Sequence, residues 1–316
     1  MIRIYCVAGH NFQVESSNEM LLAQMTNYEP FSITQELDTE TIFALRVDQN
    51  GLLNEEKRSV YQHTFTDNSE DDMPRIEVYR SLEKGWLLRI SQVAHSPICC
   101  ELACSSDFTS GLLHIAEDCL DVRFCIDNGL MLMYAFRTAP LMTLEMHAAV
   151  VVKREAMGNG LSAIGEERGD EAKGYLFLGH SGTGKSTHAR QWLAAFEDAW
   201  LLNDDNPILR VMDDGQVRIF GSPWSGKTPC YKNADAPVGA IVKLSQAPEN
   251  RIQTLRLPQA YAYMLSSASG MKIDSGMSDD LYESIKHIIT HIPFYQLECL
   301  PNVQAAMVCY DGVKQS

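Results

Sequence analysis

Eight consecutive residues, Gly179-His180-Ser181-Gly182-Thr183-Gly184-Lys185-Ser186, satisfy the spacing Gly-x4-Gly-Lys-Ser. The glycines stand where a backbone must turn and approach phosphate oxygens with no Cβ in the way. The amides of such a run point into a nest at the start of a helix, where the macrodipole also favours an anion. Lys185 is placed to reach the β- and γ-phosphates, and Ser186 to hold Mg²⁺. Average residue usage would give this pattern by accident in roughly one chain of this length in a hundred. The spacing therefore predicts a nucleoside triphosphate, ATP or another, bound with Mg²⁺.

Two further runs carry chemical groups. Asn203-Asp204-Asp205 ends the apolar run Trp200-Leu201-Leu202. An acidic pair at a strand end is often only a solvated turn. In a parallel sheet it would reach the same carboxyl edge as the phosphates, where it suits metal binding and base catalysis. The second run is Gly221-Ser222-Pro223-Trp224-Ser225-Gly226-Lys227. Ser222, Trp224, Ser225 and Lys227 offer hydroxyls, an aromatic face and a cation to an acceptor or to the triphosphate. Flanking glycines would let the loop close over the phosphates and exclude water; a plain glycine turn between strands is the alternative.

These groups need a frame, and the pattern supplies one of α/β class. A short apolar strand at Gly174 to Leu178 precedes the phosphate loop, and a helix from Thr187 to Phe196 follows it with Ala189, Trp192, Leu193 and Phe196 on one face. Asp214-Gly215 predicts a hairpin between Pro207 to Val211 and Val217 to Phe220. Beyond it come a strand at Val238 to Leu244, helices at Pro258 to Ser267 and Asp279 to His291, and a closing strand at Phe294 to Leu297. Upstream, Ala148 to Val152 reads as a central strand followed by an exposed connection at Met157 to Lys173. Asn128 to Ala139 reads as a buried helix stopped by Pro140. From Met1 to about Ser110 the chain reads as strands and turns, with strands at Ile2 to Cys6, Thr41 to Val47, Arg75 to Tyr79 and Trp86 to Ser91, and a polar loop at Asp67 to Asp72. The expected organisation is a β-rich domain over 1–110 and a larger nucleotide-binding domain over 111–316.

Composition narrows the partners. With 316 residues, 45% hydrophobic and 21% charged, the chain can bury a real core. Its net charge of -15 opposes a nucleic acid or an anionic membrane as partner. Apolar stretches such as Gly129 to Phe136 fall short of the roughly 20 residues that span a bilayer. The first residues lack the features of a signal peptide, so a cytoplasmic location is expected. Nine cysteines, with no Cys-x-x-Cys pair, read as buried free thiols rather than a metal site. His287 and His291 stand four apart, as helical zinc ligands can, with no cysteine pair before them. Self-association is left open.

From Thr143 to Val308 the chain resembles the catalytic domain of HPr kinase/phosphorylase, whose relatives include the ATP-dependent phosphoenolpyruvate carboxykinases. The resemblance rests on His147-Ala148-Ala149-Val150-Val151, on Gly179 to Thr187, on Leu202-Asn203-Asp204-Asp205, and on the spacing to Gly221 to Lys227. It implies a P-loop, HPr-kinase-like C-terminal domain in which Gly179, Ser181, Gly182, Thr183, Gly184, Lys185, Ser186 and Thr187 bind the nucleotide. It further implies that Asp204 takes a proton from an attacking hydroxyl, that Asp205 and Ser186 hold Mg²⁺, and that Lys185 neutralises the moving phosphoryl group. His147 occupies the position of a histidine ahead of the P-loop strand and looks like an active-site residue; a structural histidine is the other reading. The chain departs from HPr kinase at Gly221 to Lys227, where that family places a Glu and an Arg and this sequence has no carboxylate. The expected activity is an ATP-dependent kinase acting on a hydroxyl of a small metabolite or a protein serine. A carboxykinase-type enzyme and a nucleotide-binding regulatory module without turnover are the alternatives.

Overall fold

Period-two alternation of apolar residues builds two nine-stranded sheets among the described residues, which are 1–34, 40–67, 74–155, 171–226 and 228–314 of this computed structural model. The polar run at Asp67 to Asp72 lies outside them from Asn68 onward, the connection at Met157 to Lys173 does so up to Asp170, and so does Lys227. The class is mixed α/β, rich in strands, and the chain divides into two compact units. One comprises Met1–Leu141 with Gly270–Ser278, the other Met142–Ser269 with Asp279–Ser316.

The first unit runs β1 (Ile2–Val7), β2 (His10–Glu15), α1 (Glu19–Leu22), β3 (Ser32–Ile33), β4 (Phe43–Asp48), α2 (Glu55–Arg58), β5 (Gln62–Asp67), β6 (Arg75–Ser81), β7 (Gly85–Ser91), β8 (Ile98–Cys104), β9 (Ser110–Ile115) and α3 (Val122–Thr138). Its strand order is β3-β1-β2-β4-β9-β8-β7-β6-β5. Asp121 caps α3 by accepting from the Phe124 amide at 3.0 Å. The helix buries Cys125, Ile126, Leu130, Met133 and Tyr134, and the Tyr134 hydroxyl donates to the Val7 carbonyl at 3.0 Å. Because α3 covers this sheet, the chain divides after Leu141 rather than at the 110/111 position read from the sequence, which meets the first residue of β9.

The second unit runs β10 (Thr143–Glu145), β11 (Ala148–Glu155), β12 (Glu171–Leu178), α4 (Lys185–Ala195), β13 (Ala199–Asp205), β14 (Ile208–Val211), β15 (Val217–Phe220), β16 (Asp235–Gln246), β17 (Arg251–Thr254), α5 (Leu257–Ser267), α6 (Ser275–His291, in this unit from Asp279), β18 (Phe294–Cys299) and α7 (Val303–Lys314). Strands follow the order β10-β14-β15-β16-β12-β11-β13, with β18 beside β16 and β17 beside β18. Alternate residues of the central strands enter two cores. Val150, Val152, Leu176 and Leu178 meet Ala260 and Met264 of α5 and Leu281 and Ile285 of α6. Ala149, Val151, Tyr175 and Phe177 meet Ala189 and Trp192 of α4 and Ala306 and Cys309 of α7. Helices thus cover both faces, which is why β11 reads as an unbroken apolar run rather than an alternating one.

Three features differ from the sequence reading. The sheet is mixed, not parallel: β11 pairs antiparallel with both β12 and β13, while β16 runs parallel to β12 and to β18. Leu193 is 37% exposed, because the buried stripe of α4 runs through Lys185, His188, Ala189 and Trp192 and leaves Leu193 at its edge. Helix α7 follows the strand read as the last element. The Asp214-Gly215 hairpin is present, with Gly215 at φ 81°.

His188 illustrates how α4 is seated. Its Nε2 accepts from the Trp192 indole N–H at 3.0 Å, and its ring meets Phe177 edge-on with centroids 4.7 Å apart. Burial lowers its pKa to about 4. The unfolded chain binds this proton near pH 6.5. The stability gained by keeping the ring neutral is therefore complete above about pH 6.5 and is lost as pH falls toward 4. Between about pH 7 and 5 the parent should lose about 2 kcal/mol more than His188→Gln, which retains an acceptor. Equilibrium denaturation at both pH values checks this, and equal losses would refute it.

Candidate functional site

The glycine-rich loop Gly179 to Ser186 leaves β12 at Leu178 and runs into the start of α4, and its backbone needs glycine. Gly182 has φ 74° and Gly184 φ 107°, conformations that L side chains rarely adopt. Gly184 is also the N-cap of the eleven-residue helix α4, so the helix N-terminus opens onto the loop. His180 and Ser181 are exposed, and Ser186 and Thr187 are half-buried.

Lys185 is buried, yet its ammonium has partners. It donates to the Gly179 carbonyl at 2.9 Å and lies 3.0 Å from His147 Nε2. The same Nε2 lies 3.3 Å from Asp205 Oδ1. An ammonium only donates, so Nε2 accepts from it when the ring carries its proton on Nδ1; a protonated Nε2 donates to Asp205 instead. His147 therefore stands between the loop lysine and the acidic pair, with its own amide donating to the Ser267 carbonyl at 2.7 Å.

Strand register places these groups at one sheet edge. Ala148 is the partner of Leu178 on one side and of Asp205 on the other, and Ala149 is the partner of Asp204. The glycine-rich loop and the acidic pair share an edge, as expected, but through an intervening antiparallel strand. Asp204 is 5% exposed. Asp205 is more open and adopts φ 151°, a strained value for a residue with a side chain.

The second glycine loop is strapped to this edge. Asn203 donates from Nδ2 to Ser222 Oγ at 3.1 Å and to the Trp224 carbonyl at 2.9 Å. Ser222 Oγ donates to the Asn206 carbonyl at 2.6 Å, and the Gly226 amide to the Asp204 carbonyl at 2.7 Å. Ser222 and Trp224 are buried, so their hydroxyl and indole hold the loop in place rather than facing a ligand. Ser225 is half-buried and donates from Oγ to the Thr228 carbonyl at 2.6 Å.

Sequence reasoning missed Gln191, Gln246, Lys243, Tyr263 and Glu145. A cavity of about 530 Å³ beside Gly182 to Gly184 is lined by Thr187, Gln191, Gln246 and Leu300, and Gln246 Nε2 donates to the Gly182 carbonyl at 3.3 Å. On the other side a hollow of about 40 Å³ lies among His147, Gly179, Lys243, Tyr263 and Ser266. Burial lowers the Lys243 pKa, and its ammonium sits 5.4 Å from the Tyr263 ring centre. Register puts Lys243 opposite Leu178, which no spacing in the sequence reveals. Glu145 is 1% exposed and its Oε1 has no hydrogen-bond partner. Burial, and after it the charge of Asp205, pushes this carboxyl well above the usual carboxylate range. An acid inside the apolar run Thr143-Leu144-Glu145-Met146 was the signal for it.

His287 and His291 stack at 4.1 Å on α6, and His291 Nδ1 lies 2.8 Å from the His287 carbonyl, one turn back on the same helix. Among the described residues no helix is long and apolar enough to cross a membrane. No protein-family model matches the chain, and no curated protein matches its sequence.

Proposed function

We propose that this chain is an ATP- and Mg²⁺-dependent phosphotransferase of HPr-kinase-like type, moving the γ-phosphoryl group to a hydroxyl of a small metabolite or a protein serine. The observation that carries this reading is the contact series Lys185 Nζ, His147 Nε2 and Asp205 Oδ1, with steps of 3.0 and 3.3 Å, on the sheet edge that bears the phosphate loop. The second unit is read as the HPr-kinase-like nucleotide domain. Two glycines at positive φ, the N-terminus of α4 and a buried ammonium suit a triphosphate. The cavity beside Thr187 and Gln246 has room for the nucleoside.

Ser186 and Asp205 are the residues that would hold Mg²⁺, which when bound neutralises phosphate charge. Lys185 exchanges the Gly179 carbonyl for phosphate oxygens. Asp204, ending the same strand as Asp205, takes the proton of the acceptor hydroxyl. The hollow beside Lys243 and Tyr263 is the acceptor side, where a cation and a phenol can orient a polar substrate. Labelled ATP incubated with a metabolite library, followed by mass spectrometry, tests the assignment. Transfer of label to a hydroxyl compound supports it; tight binding with no transfer across a broad panel favours a regulatory module instead.

Lys185→Ala should abolish nucleotide binding or turnover, as read by calorimetric titration with a non-hydrolysable ATP analogue and by steady-state rates. Unchanged affinity together with unchanged turnover would sink the phosphate-loop assignment. Asp204→Asn should cut transfer by about 10²-fold or more while leaving nucleotide affinity nearly intact, the size expected on losing a general base. Asp205→Asn should instead raise the Mg²⁺ concentration needed for half-maximal rate. Identical metal dependence and identical rates in the two variants would overturn this division of roles.

A further inference from the structure

Cysteines far apart in sequence meet in the first unit. The Sγ atoms of Cys99, Cys100 and Cys125 all lie within 4.8 Å of one another, and Cys119 Sγ lies 3.6 Å from Cys125 Sγ. The sequence hides this grouping, because consecutive residues of a regular strand point to opposite faces and Cys99 and Cys100 are consecutive. The ladder resolves the conflict. Ile90 pairs with Cys100 and Ser91 with Ile98, so Cys99 is the extra residue of a β-bulge, the device that re-aims a side chain. Cys125 comes from the first turn of α3. Cys119 comes from the segment between β9 and α3, and its carbonyl accepts from Gln49 Nε2 at 3.1 Å. Cys100 and Cys125 have no exposed surface, whereas Cys99 and Cys119 are half-buried and open the group to solvent.

We propose that Cys99, Cys100, Cys119 and Cys125 form a thiolate site for a thiophilic d¹⁰ cation such as Zn²⁺, tying β8 to the first turn of α3. Zn–S bonds of about 2.3 Å in a tetrahedron put sulfurs roughly 3.8 Å apart, near the 3.6 Å between Cys119 and Cys125 and inside the 4.8 Å that bounds Cys99, Cys100 and Cys125. A disulfide needs about 2.05 Å, so the resting spacing matches shared coordination better than a bond between any pair. Each thiol that becomes a ligand releases its proton to solvent on metal binding. Buried thiols packed merely as small apolar side chains, the reading drawn from sequence, suit Cys104 and Cys309, which lie outside the group.

The full chain, purified under reducing conditions, stripped with a chelator and titrated with Zn²⁺ and separately with Co²⁺, tests the proposal. About one Zn²⁺ per chain should bind, and Co²⁺ should give the thiolate charge-transfer band in the near ultraviolet together with intense visible bands of tetrahedral coordination. Cys125→Ser and Cys100→Ser should each weaken Zn²⁺ binding by about 10²-fold or more and remove the band, while Cys309→Ser leaves both unchanged. Should the core serine variants fail to fold, Cys119→Ser and the parent's own Co²⁺ spectrum still decide the matter. Three results would overturn the proposal: no charge-transfer band in the parent, Zn²⁺ uptake unaltered by every cluster substitution, or formation of a Cys119–Cys125 disulfide in place of metal uptake.

Discussion

Everything at the candidate site depends on one strand being hydrogen-bonded along both edges and buried on both faces. β11 carries β12 on one edge and β13 on the other, antiparallel to each, and no side chain from Ala148 to Val152 reaches solvent. Ladder geometry fixes neighbouring strands about 4.8 Å apart. Leu178 and Asp205 are therefore held roughly 10 Å from each other across Ala148. A glycine-rich loop that starts one residue beyond Leu178 and an acidic pair that ends β13 are kept at one level by backbone pairing rather than by any direct contact. Fully burying a valine contributes roughly 1.5–3 kcal/mol, and Val150, Val151 and Val152 are all fully buried. A one-residue slip of β11 would send Val150 and Val152 into the wrong core and shift the acidic pair relative to the loop.

The features legible in the sequence are those a local rule determines. Gly182 and Gly184 announce a loop whose φ angles only glycine tolerates easily, and Asp214-Gly215 announces a hairpin. The features not legible are matters of partnership. Nothing in Ala148 to Val152 says that the strand runs opposite to its neighbours, since burial on both faces erases the alternation that would distinguish topologies. Lys243 lies level with Leu178 only through register, and Cys99 joins Cys100 only through a bulge. Its residue type offers Trp224 as an aromatic face to an acceptor or the triphosphate, in a loop that flanking glycines would let close. Asn203 decides otherwise, since its side chain binds both Ser222 and the Trp224 carbonyl and draws the loop inward. Site residues on the phosphate loop follow from their own spacing, whereas the groups opposite them follow from how the rest of the sheet is threaded.

The buried ammonium of Lys185 shows how a charge is held inside the site. A lysine at 8% exposure needs its charge compensated, and the Gly179 carbonyl and His147 Nε2 supply partners for it. In the proposed reading, phosphate oxygens replace those partners, so nucleotide binding must compete with them. The competition has a second consequence. Once Lys185 turns to phosphate, His147 Nε2 no longer has to accept from an ammonium, and a proton on Nε2 can be donated to Asp205 at 3.3 Å. Occupancy of the phosphate loop would in this way reach the acidic pair through a single imidazole, restraining Asp205 only when a nucleotide is present. Glu145 bears on this balance as well: burial keeps its carboxyl neutral, and as an anion it would repel Asp205.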